Sequence, residues 1–490
     1  MTSTLLWALG ALSSNLLGAL TATTRSNHEQ FAASLDSKAV VYYPGSEQFI
    51  QASARWSASQ TPHYEMIVKV ATEEDVQKTI LYANENNRPF HTISGGHGTT
   101  SLINNVINGV GILMHEMNDI TIVDDGSAAL LEGGVLNGDL IAYLWSHGKL
   151  TMSTGCDCVG YIAPILGGGH GWLQGRYGLA ADQLISARIV LANGTAISVC
   201  EESNPDLFWA IRGAGHNFGV VTQVKMRIYD REVDQDQWAA SGFVFTHDKL
   251  EAIFALANEW LESPERPIEL THYGLFALNP DVDPLNPIVM MWIYWQGPAI
   301  PSKYTDPLYA LSPVAVDESV TELPEVNSHI FANRDGASCA KGLSRALVGL
   351  SLRTYSLPAL RKVLNIFTAL PPEFRTTVMM LEGYAKNRVE EIPGDSSAFP
   401  DRDEKVLLSP VLTYPKNASL DATAREIGEK IRNALLEGTD GKLRAYVNYA
   451  TGVESMEELY GYEPWRLEKL RRLKNEYDPF GKFNFYAPIT

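Results

Sequence analysis

Two glycine-rich stretches place the strongest constraint on this chain. The first reads Ser-Gly-Gly-His-Gly at residues 94–98, and the second runs over residues 156–171 and ends in Gly-Gly-Gly-His-Gly. Glycine lets the backbone approach a ligand closely. The histidines and the cysteine beside these glycines can bond covalently or donate a proton. The combination predicts a binding site for a cofactor.

Size and charge narrow the class of protein. A chain of 490 residues exceeds the length at which a single core keeps growing, so two domains are expected. The net charge of -18 argues against nucleic acid or an anionic membrane as a partner, because both require a cationic surface. No apolar run reaches the roughly 18 residues of an unambiguous membrane span. A neutral or cationic small molecule is compatible with this charge.

The N-terminal region, residues 1–25, leaves two interpretations open. Leu5 to Ala22 holds two apolar blocks, and the small residues near Ala22 suit a signal peptidase, although no Lys or Arg precedes the first block. The alternative is an N-terminal extension whose helix packs on the fold. The sequons at Asn193 and Asn417 matter only in a secreted protein. The sequence favours a secreted location over a cytoplasmic one.

The chain has four cysteines, and they predict neither a disulfide framework nor a metal centre. Cys156 and Cys158 are one residue apart, so a disulfide between them would be strained. Their spacing is also not the C-x-x-C of a zinc site, and the histidines lack a regular second partner. Cys200 and Cys339 stand alone in the sequence. We therefore predict no bound metal.

The pattern of helices and strands divides the chain. A strand at 65–70, a helix capped by Thr72 to Asp75 and a strand at 89–93 form a βαβ unit that leads into the first glycine-rich stretch. Asn193-Gly194 predicts a hairpin. From residue 232 onward, aromatic-rich strands alternate with amphipathic helices, which predicts a second α+β domain with a largely antiparallel sheet.

Each glycine-rich stretch alone is a weak signal, because glycine clusters mark many turns. Neither stretch has the spacing of a Rossmann fingerprint or a phosphate loop, so a nicotinamide cofactor is unsupported. A longer series of motifs is far more specific. In chain order it comprises Ser94-Gly-Gly-His97, Cys156-x-x-Val-Gly160, Gly167-Gly-Gly-x-Gly171, Tyr177-Gly-Leu-Ala-Ala-Asp182, Asn204-Pro-Asp-Leu-Phe-Trp-Ala-Ile-Arg-Gly213, Asn217-Phe-Gly-Val-Val-Thr222, Ser397-Ala-Phe-Pro-Asp-Arg402, Ala445-Tyr-Val-Asn-Tyr449 and Tyr477-Asp-Pro479.

This series resembles the berberine-bridge-enzyme-like FAD-linked oxidases, which have an FAD-binding domain of the PCMH type, over nearly the whole chain. The resemblance implies a two-domain α+β fold with an FAD-binding domain at 26–231, whose core covers about 62–231. It also implies a substrate domain at 232–440, with a large antiparallel sheet covered by helices, and a C-terminal return to the FAD domain at 441–490.

The resemblance implies FAD as the cofactor and two covalent links to it. His97 matches the histidine joined to the 8α position of the isoalloxazine ring, and Cys156 matches the cysteine that adds a thioether to ring carbon C6. Cys158, one residue away, stays open as the alternative sulfur donor. The residues implied in FAD binding are Ser94, Gly95, Gly96, His97, Gly98, Cys156, Val159, Gly160, Gly167, Gly168, Gly169, Gly171, Gly219, Val221 and Asn448.

The catalytic base is less narrowly predicted. Tyr449 matches a tyrosine that acts as base in several members of the family, while Glu382, Tyr384 and Lys386 are alternatives on a strand expected to face the flavin. An unperturbed tyrosine has a pKa of about 10, so either a cation or the flavin environment would have to lower that pKa. Arg402 and Lys386 are the candidate cations.

The implied activity is oxidation of a small organic molecule, plausibly in natural-product biosynthesis. A base removes a proton, a hydride passes to flavin N5, and dioxygen reoxidises the flavin with release of hydrogen peroxide. Three alternatives stay open: a redox-neutral isomerase or cyclase, a carbohydrate oxidase, and a non-catalytic flavin-binding protein. The sequence leaves the oligomeric state open.

Overall fold

The computed structural model describes residues 27–490. The predicted signal peptide or N-terminal extension lies outside this range. Among the described residues, no helix combines the length and the apolar character that crossing a membrane requires. The chain forms mixed helix and sheet, with a large antiparallel sheet in its second half, which confirms the predicted α+β class.

Nineteen strands make up the sheets of the described chain. They are β1 Val40–Tyr42, β2 His63–Lys69, β3 Phe90–Ile93, β4 Ile107–Leu113, β5 Ile120–Val123, β6 Ala128–Glu132, β7 Lys149–Leu150, β8 Leu184–Val190, β9 Ala196–Cys200, β10 Val220–Arg227, β11 Tyr229–Asp230, β12 Gln237–Phe245, β13 Leu270–Ala277, β14 Ile288–Gln296, β15 Ala315–Glu322, β16 Ser344–Leu347, β17 Leu350–Leu352, β18 Val378–Gly383 and β19 Val406–Tyr414.

Fourteen α-helical segments cover or connect these strands in residues 27–490. They are α1 at 27–34, α2 Glu47–Ser53, α3 Glu73–Glu85, α4 Asn137–Ser146, α5 Ile162–Ile165, α6 Gln174–Tyr177, α7 Pro205–Ala214, α8 Leu250–Glu262, α9 Ser302–Ala310, α10 Leu357–Thr368, α11 Asn387–Glu391, α12 Asp421–Leu436, α13 Met456–Tyr460 and α14 Pro464–Tyr477.

The predicted βαβ unit is present, and its helix begins where the sequence predicted. Thr72 accepts a hydrogen bond from the backbone N–H of Asp75, and the Asp75 carboxylate caps the first turn of α3 in return. The strands β2 and β3 are not neighbours, because β4 lies between them and pairs in parallel with both. This four-stranded sheet has the order β1-β2-β4-β3 and delivers the end of β3 to the first glycine-rich stretch.

A second sheet in the first half has the order β5-β6-β10-β8-β9. The predicted turn at Asn193-Gly194 joins β8 to β9 as a hairpin, and Gly194 has a φ of +80°, which a side chain would disfavour. The first glycine-rich stretch follows β3 of the four-stranded sheet, and the second precedes β8 of this five-stranded sheet.

The second half forms an eight-stranded sheet in which all the pairings are antiparallel. Its order is β15-β12-β14-β13-β18-β19-β16, and β17 also pairs with β19. The helices α8, α10 and α12 turn apolar faces to the core, including Phe254, Phe367 and Ile431. The strands β18, β19 and β16 present their other face to the first half of the chain.

The last part of the chain packs against the first half. Asn217 donates from its side-chain nitrogen to the Tyr460 hydroxyl and to the Ala487 carbonyl, and its side-chain oxygen accepts from the Ile489 N–H. The helix α14 contacts α7. These contacts bring Asn448 and Tyr449, which precede α13, into the space between the glycine-rich loops and the large sheet. The exact domain boundaries stay predictions.

Candidate active site

A cavity of about 640 Å³ lies between the glycine-rich loops and the eight-stranded sheet. One wall comes from the turn at 94–98, the loop at 154–160 and the segment at 216–221. The facing wall comes from β18, β19 and β16. Ten of the predicted cofactor-binding residues besides Cys156 line it, namely Ser94, Gly95, Gly96, His97, Gly98, Val159, Gly160, Gly219, Val221 and Asn448.

The first glycine-rich stretch is held against the cysteine loop by backbone contact. A Cβ at Gly95 would lie 2.7 Å from the Cys158 carbonyl oxygen and 2.7 Å from the Gly160 nitrogen. Gly96 has a φ of +71°, a conformation that side chains rarely adopt. The two stretches therefore meet directly, and only glycine permits it. The turn exposes its backbone to the cavity, as an anion-binding cradle requires.

His97 carries a neutral imidazole at the cavity wall. Its ring stacks on Trp56 with centroids 5.2 Å apart. Burial lowers the pKa of His97 to about 3, and the nearby charges of Lys341, Arg345 and Arg55 lower it further. The imidazole is thus unprotonated at physiological pH, with a lone pair for bond formation.

The cysteine loop settles which sulfur is free. Cys158 forms a disulfide with Cys339, a pairing across the two halves of the chain that the sequence did not predict. Cys156 stays a free thiol, with its sulfur 3.4 Å from that of Cys158. Burial raises the pKa of the Cys156 thiol to about 11. Of the two candidate donors, only Cys156 can reach a flavin without breaking a bond.

A metal reading of this cluster does not fit the structure. Ligand atoms of His97, Cys156 and Cys158 lie within 4.8 Å of one another. The sulfur of Cys158 is already bonded to Cys339, so it offers no thiolate. Two donors are left, fewer than the four of a structural zinc site.

The second glycine run lies just behind the cavity wall. Gly167, Gly168, Gly169 and Gly171 do not belong to the cavity lining, whereas the neighbouring Leu166 and His170 do. A Cβ at Gly167 would lie 2.2 Å from the Asn448 side-chain oxygen, and one at Gly171 would lie 1.9 Å from the Ser153 carbonyl oxygen. These glycines permit close packing behind the cavity wall, and their contact with the cofactor stays a prediction.

Arg55 is a site residue that the sequence reasoning missed. Its side chain is 8% exposed, lines the cavity and donates from Nη2 to the Gly98 carbonyl at 2.8 Å. Its Nε and the hydroxyl of Ser94 are buried without a hydrogen-bond partner in residues 27–490. A cation and unpaired donors beside the glycine turn fit the pyrophosphate of a dinucleotide. Arg55 belongs to no motif, so no sequence signal marked it.

The strand β18 faces the cavity with alternate residues. Val378, Met380 and Glu382 line the cavity, as does Tyr384 just beyond the strand. This is the period of two expected for one face of a sheet. The strand β18 therefore faces the cavity, with the candidate Glu382 on the strand and the candidate Tyr384 one residue beyond its end.

The three candidate catalytic residues form one hydrogen-bonded cluster. The hydroxyl of Tyr384 donates to Oε2 of Glu382 at 3.0 Å, and that of Tyr449 donates to Oε1 at 3.3 Å. Burial raises the pKa of Glu382 to about 7, although both hydrogen bonds act in the opposite direction. A carboxyl group with this pKa can exchange a proton near neutral pH.

Tyr449 itself is a neutral phenol. Burial raises its pKa well above 10, and the charge of Glu382 raises it further. Neither candidate cation, Arg402 or Lys386, lowers the pKa of Tyr449. Arg402 forms a bidentate ion pair with Asp182 at 2.8 and 3.0 Å, so its charge is compensated there. Burial lowers the pKa of Lys386 to about 8, and its charge acts on His170. Glu382 is therefore the member of the cluster that can be ionised, and so accept a proton, near neutral pH.

Comparisons with known proteins agree with this site. The family described as "FAD binding domain" matches residues 64–200. The FAD-linked oxidoreductase chyH of Penicillium rubens is 34% identical, covering 100% of this chain and 99% of its own. The FAD-linked oxidoreductase chry5 of Gibberella zeae is 36% identical over 95% of both chains.

Two solved structures share the fold. The glucooligosaccharide oxidase of Acremonium strictum has a TM-score of 0.78 at 19% identity, covering 95% of this chain and 98% of its own. GilR, an oxidoreductase of gilvocarcin biosynthesis, has a TM-score of 0.78 at 18% identity, covering 92% and 100%.

Fold, cavity and relatives define a flavoprotein of the oxidoreductase class. More narrowly, the chain belongs to the FAD-linked oxidoreductases, and its resemblance to the berberine-bridge-enzyme-like enzymes is confirmed.

Proposed function

We propose that this FAD-linked oxidoreductase oxidises a small organic molecule, with Glu382 as the group that accepts the substrate proton. The observation that carries the proposal is the cluster in which Glu382, with a pKa of about 7, accepts hydrogen bonds from Tyr384 and Tyr449 at the cavity wall. When bound, FAD would accept a hydride at N5 and pass its electrons to dioxygen, which leaves as hydrogen peroxide.

The chain's own residues would hold this cofactor. His97 would bond to the 8α position and Cys156 to ring carbon C6, since both side chains lie free at the cavity with their ligand atoms within 4.8 Å of one another. Arg55 and the backbone of the turn at 94–98 would hold the pyrophosphate. The neutral state of His97 favours its bond, whereas Cys156 must first lose a proton that burial retains.

Tyr449 would relay the proton between the substrate and Glu382. A substrate O–H or N–H that donates to the Tyr449 oxygen would give up its proton there as the phenol proton moves to Oε1 of Glu382, 3.3 Å away. Tyr449 is left neutral at the end of this transfer, so its high pKa is no obstacle. Tyr384 keeps the carboxylate in place through the other oxygen.

The sheet wall supports a substrate with an apolar body. Between Glu382 and Arg345 in the sheet register, the cavity is lined by the apolar side chains of Leu347, Val378, Met380 and Val411. A sugar would leave its hydroxyl groups unpaired against these side chains, at a cost for each buried group. This favours the natural-product chemistry of a neighbour such as GilR over the carbohydrate chemistry of the Acremonium enzyme.

The test combines flavin retention with oxygen uptake. Acid-precipitated wild-type protein should keep its yellow colour, and His97→Ala should lose the 8α link while Cys156→Ala keeps one link, as visible absorbance and peptide mass would report. Oxygen uptake is then measured with aromatic alcohols, polycyclic phenols and oligosaccharides. Flavin-loaded protein that consumes no oxygen with any of them would contradict the oxidase. Anaerobic conversion at unchanged substrate mass would instead support the isomerase.

A further inference from the structure

Arg345 is a buried cation without an anionic partner. Its side chain is 4% exposed, yet no carboxylate within residues 27–490 forms an ion pair with it. The buried Arg402, Arg432 and Arg466, by contrast, each pair with an acidic residue. Leaving a buried charge unpaired is costly, so a partner from outside the chain is expected.

The position of Arg345 directs it to the cavity. It lies on β16, where it lines the cavity together with Leu347, two residues further along the same strand face. Its guanidinium stacks over the Trp56 ring at 4.7 Å, and Nη1 donates to the Trp56 carbonyl at 2.7 Å. That is its only side-chain hydrogen bond to the described residues. The remaining N–H donors are available to a ligand.

The sheet register separates Arg345 from the catalytic cluster. Arg345 is opposite Thr413 on β19, and Glu382 is opposite Leu407 on the same strand. Six residues of extended strand correspond to about 20 Å at roughly 3.3 Å per residue. The apolar side chains of Leu347, Val378, Met380 and Val411 occupy the sheet between the two levels.

We propose that Arg345 anchors an anionic oxygen group, in particular a carboxylate, at the end of an elongated apolar substrate remote from the atom that is oxidised. This rests on the proposed function in one respect, that the cavity holds both flavin and substrate. It adds a substrate class: a molecule with an acidic proton at one end, an apolar body, and a carboxylate at the other end. The guanidinium would pair with the carboxylate through two N–H donors.

The experiment titrates flavin-loaded enzyme with two probes of the same shape, biphenyl-4-carboxylate and biphenyl-4-carboxamide, and follows the flavin absorbance. Wild type should bind the carboxylate at least about tenfold more tightly, the size expected for a charge-assisted hydrogen bond. In Arg345→Met the two dissociation constants should become equal. Arg353→Met, which removes an exposed arginine paired with Asp403, should retain the wild-type preference.

Arg345→Lys serves as the second variant, since it keeps the charge if the methionine variant fails to fold. It should still prefer the carboxylate. Equal binding of both probes by wild type, no binding of either up to 1 mM (roughly the weak end of specific affinities), or equal binding by the lysine variant would overturn the proposal. Loss of flavin from both variants would assign Arg345 to the cofactor and overturn it too. The titration requires no turnover, so an enzyme that consumes no oxygen fails the proposed function alone.

Discussion

The two walls of the cavity recognise their ligands by different means. The loop wall brings backbone to the cavity, because the turn at 94–98 and the loop at 154–160 pack so closely that Gly95 has no room for a Cβ. The sheet wall presents side chains at every second residue, including Glu382 and Arg345. Under the proposed function, the loop wall would hold FAD through backbone groups, whereas the sheet wall would contact the substrate through single side chains.

The largest expected effect is a loss of turnover without a loss of cofactor, on substitution of Glu382. Glu382→Gln should lower kcat/KM by about 10²- to 10⁴-fold, since the amide cannot accept a proton. Flavin content should stay at the wild-type level, because Glu382 lies on the sheet wall. Steady-state oxygen uptake and the visible spectrum measure the two quantities. Loss of flavin from this variant would contradict the assignment of cofactor binding to the loop wall alone.

The disulfide joins the two walls, and its removal should affect stability. The pair Cys158→Ser and Cys339→Ser should lower the free energy of unfolding by about 2–5 kcal/mol, because the crosslink restricts the unfolded chain. Denaturant melts of the double variant and of Cys200→Ser, a free cysteine elsewhere, provide the comparison. Equal stability of the two would mean that the crosslink contributes nothing.

The second glycine run should respond as a packing element and not as a cofactor contact. Gly171→Ala should cost about 3 kcal/mol, since its Cβ would lie 1.9 Å from a backbone oxygen. Gly394→Ala, with open space around its Cβ, should change stability by less than about 0.5 kcal/mol. Thermal unfolding measures both. If Gly171→Ala folds normally but loses flavin, these glycines belong to the loop wall after all.

The smallest expected effect is a pH dependence that reports the protonation state of Glu382 on the sheet wall. Glu382 acts as base only when ionised, so kcat/KM should rise about tenfold per pH unit up to its pKa of about 7 and then level off. The hydrogen bond from Tyr384 lowers that pKa, so Tyr384→Phe should move the rising limb to higher pH. A kcat/KM that does not change between pH 5 and 8, roughly the range in which such a group titrates, would exclude Glu382 as the catalytic base.

Much of the fold was predictable from local patterns. The capping residues Thr72 and Asp75 and the turn at Asn193-Gly194 carry their structure in a few neighbouring residues, and both predictions are confirmed. The placement of β4 between β2 and β3 was not predictable, since strand order depends on contacts distant in sequence. The edge strand β15 was missed as well, because its exposed, acidic sequence has no apolar alternation.

The sequence alone determined the class of cofactor and the residues His97, Cys156, Glu382 and Tyr449 as candidates, because motif order and residue chemistry are properties of the chain. Only the tertiary structure decided their states. Burial makes His97 neutral and raises the pKa of Glu382, while the distant Cys339 takes up Cys158. Desolvation and long-range pairing depend on what surrounds a group in space, and the spacing of residues along the chain does not specify those surroundings.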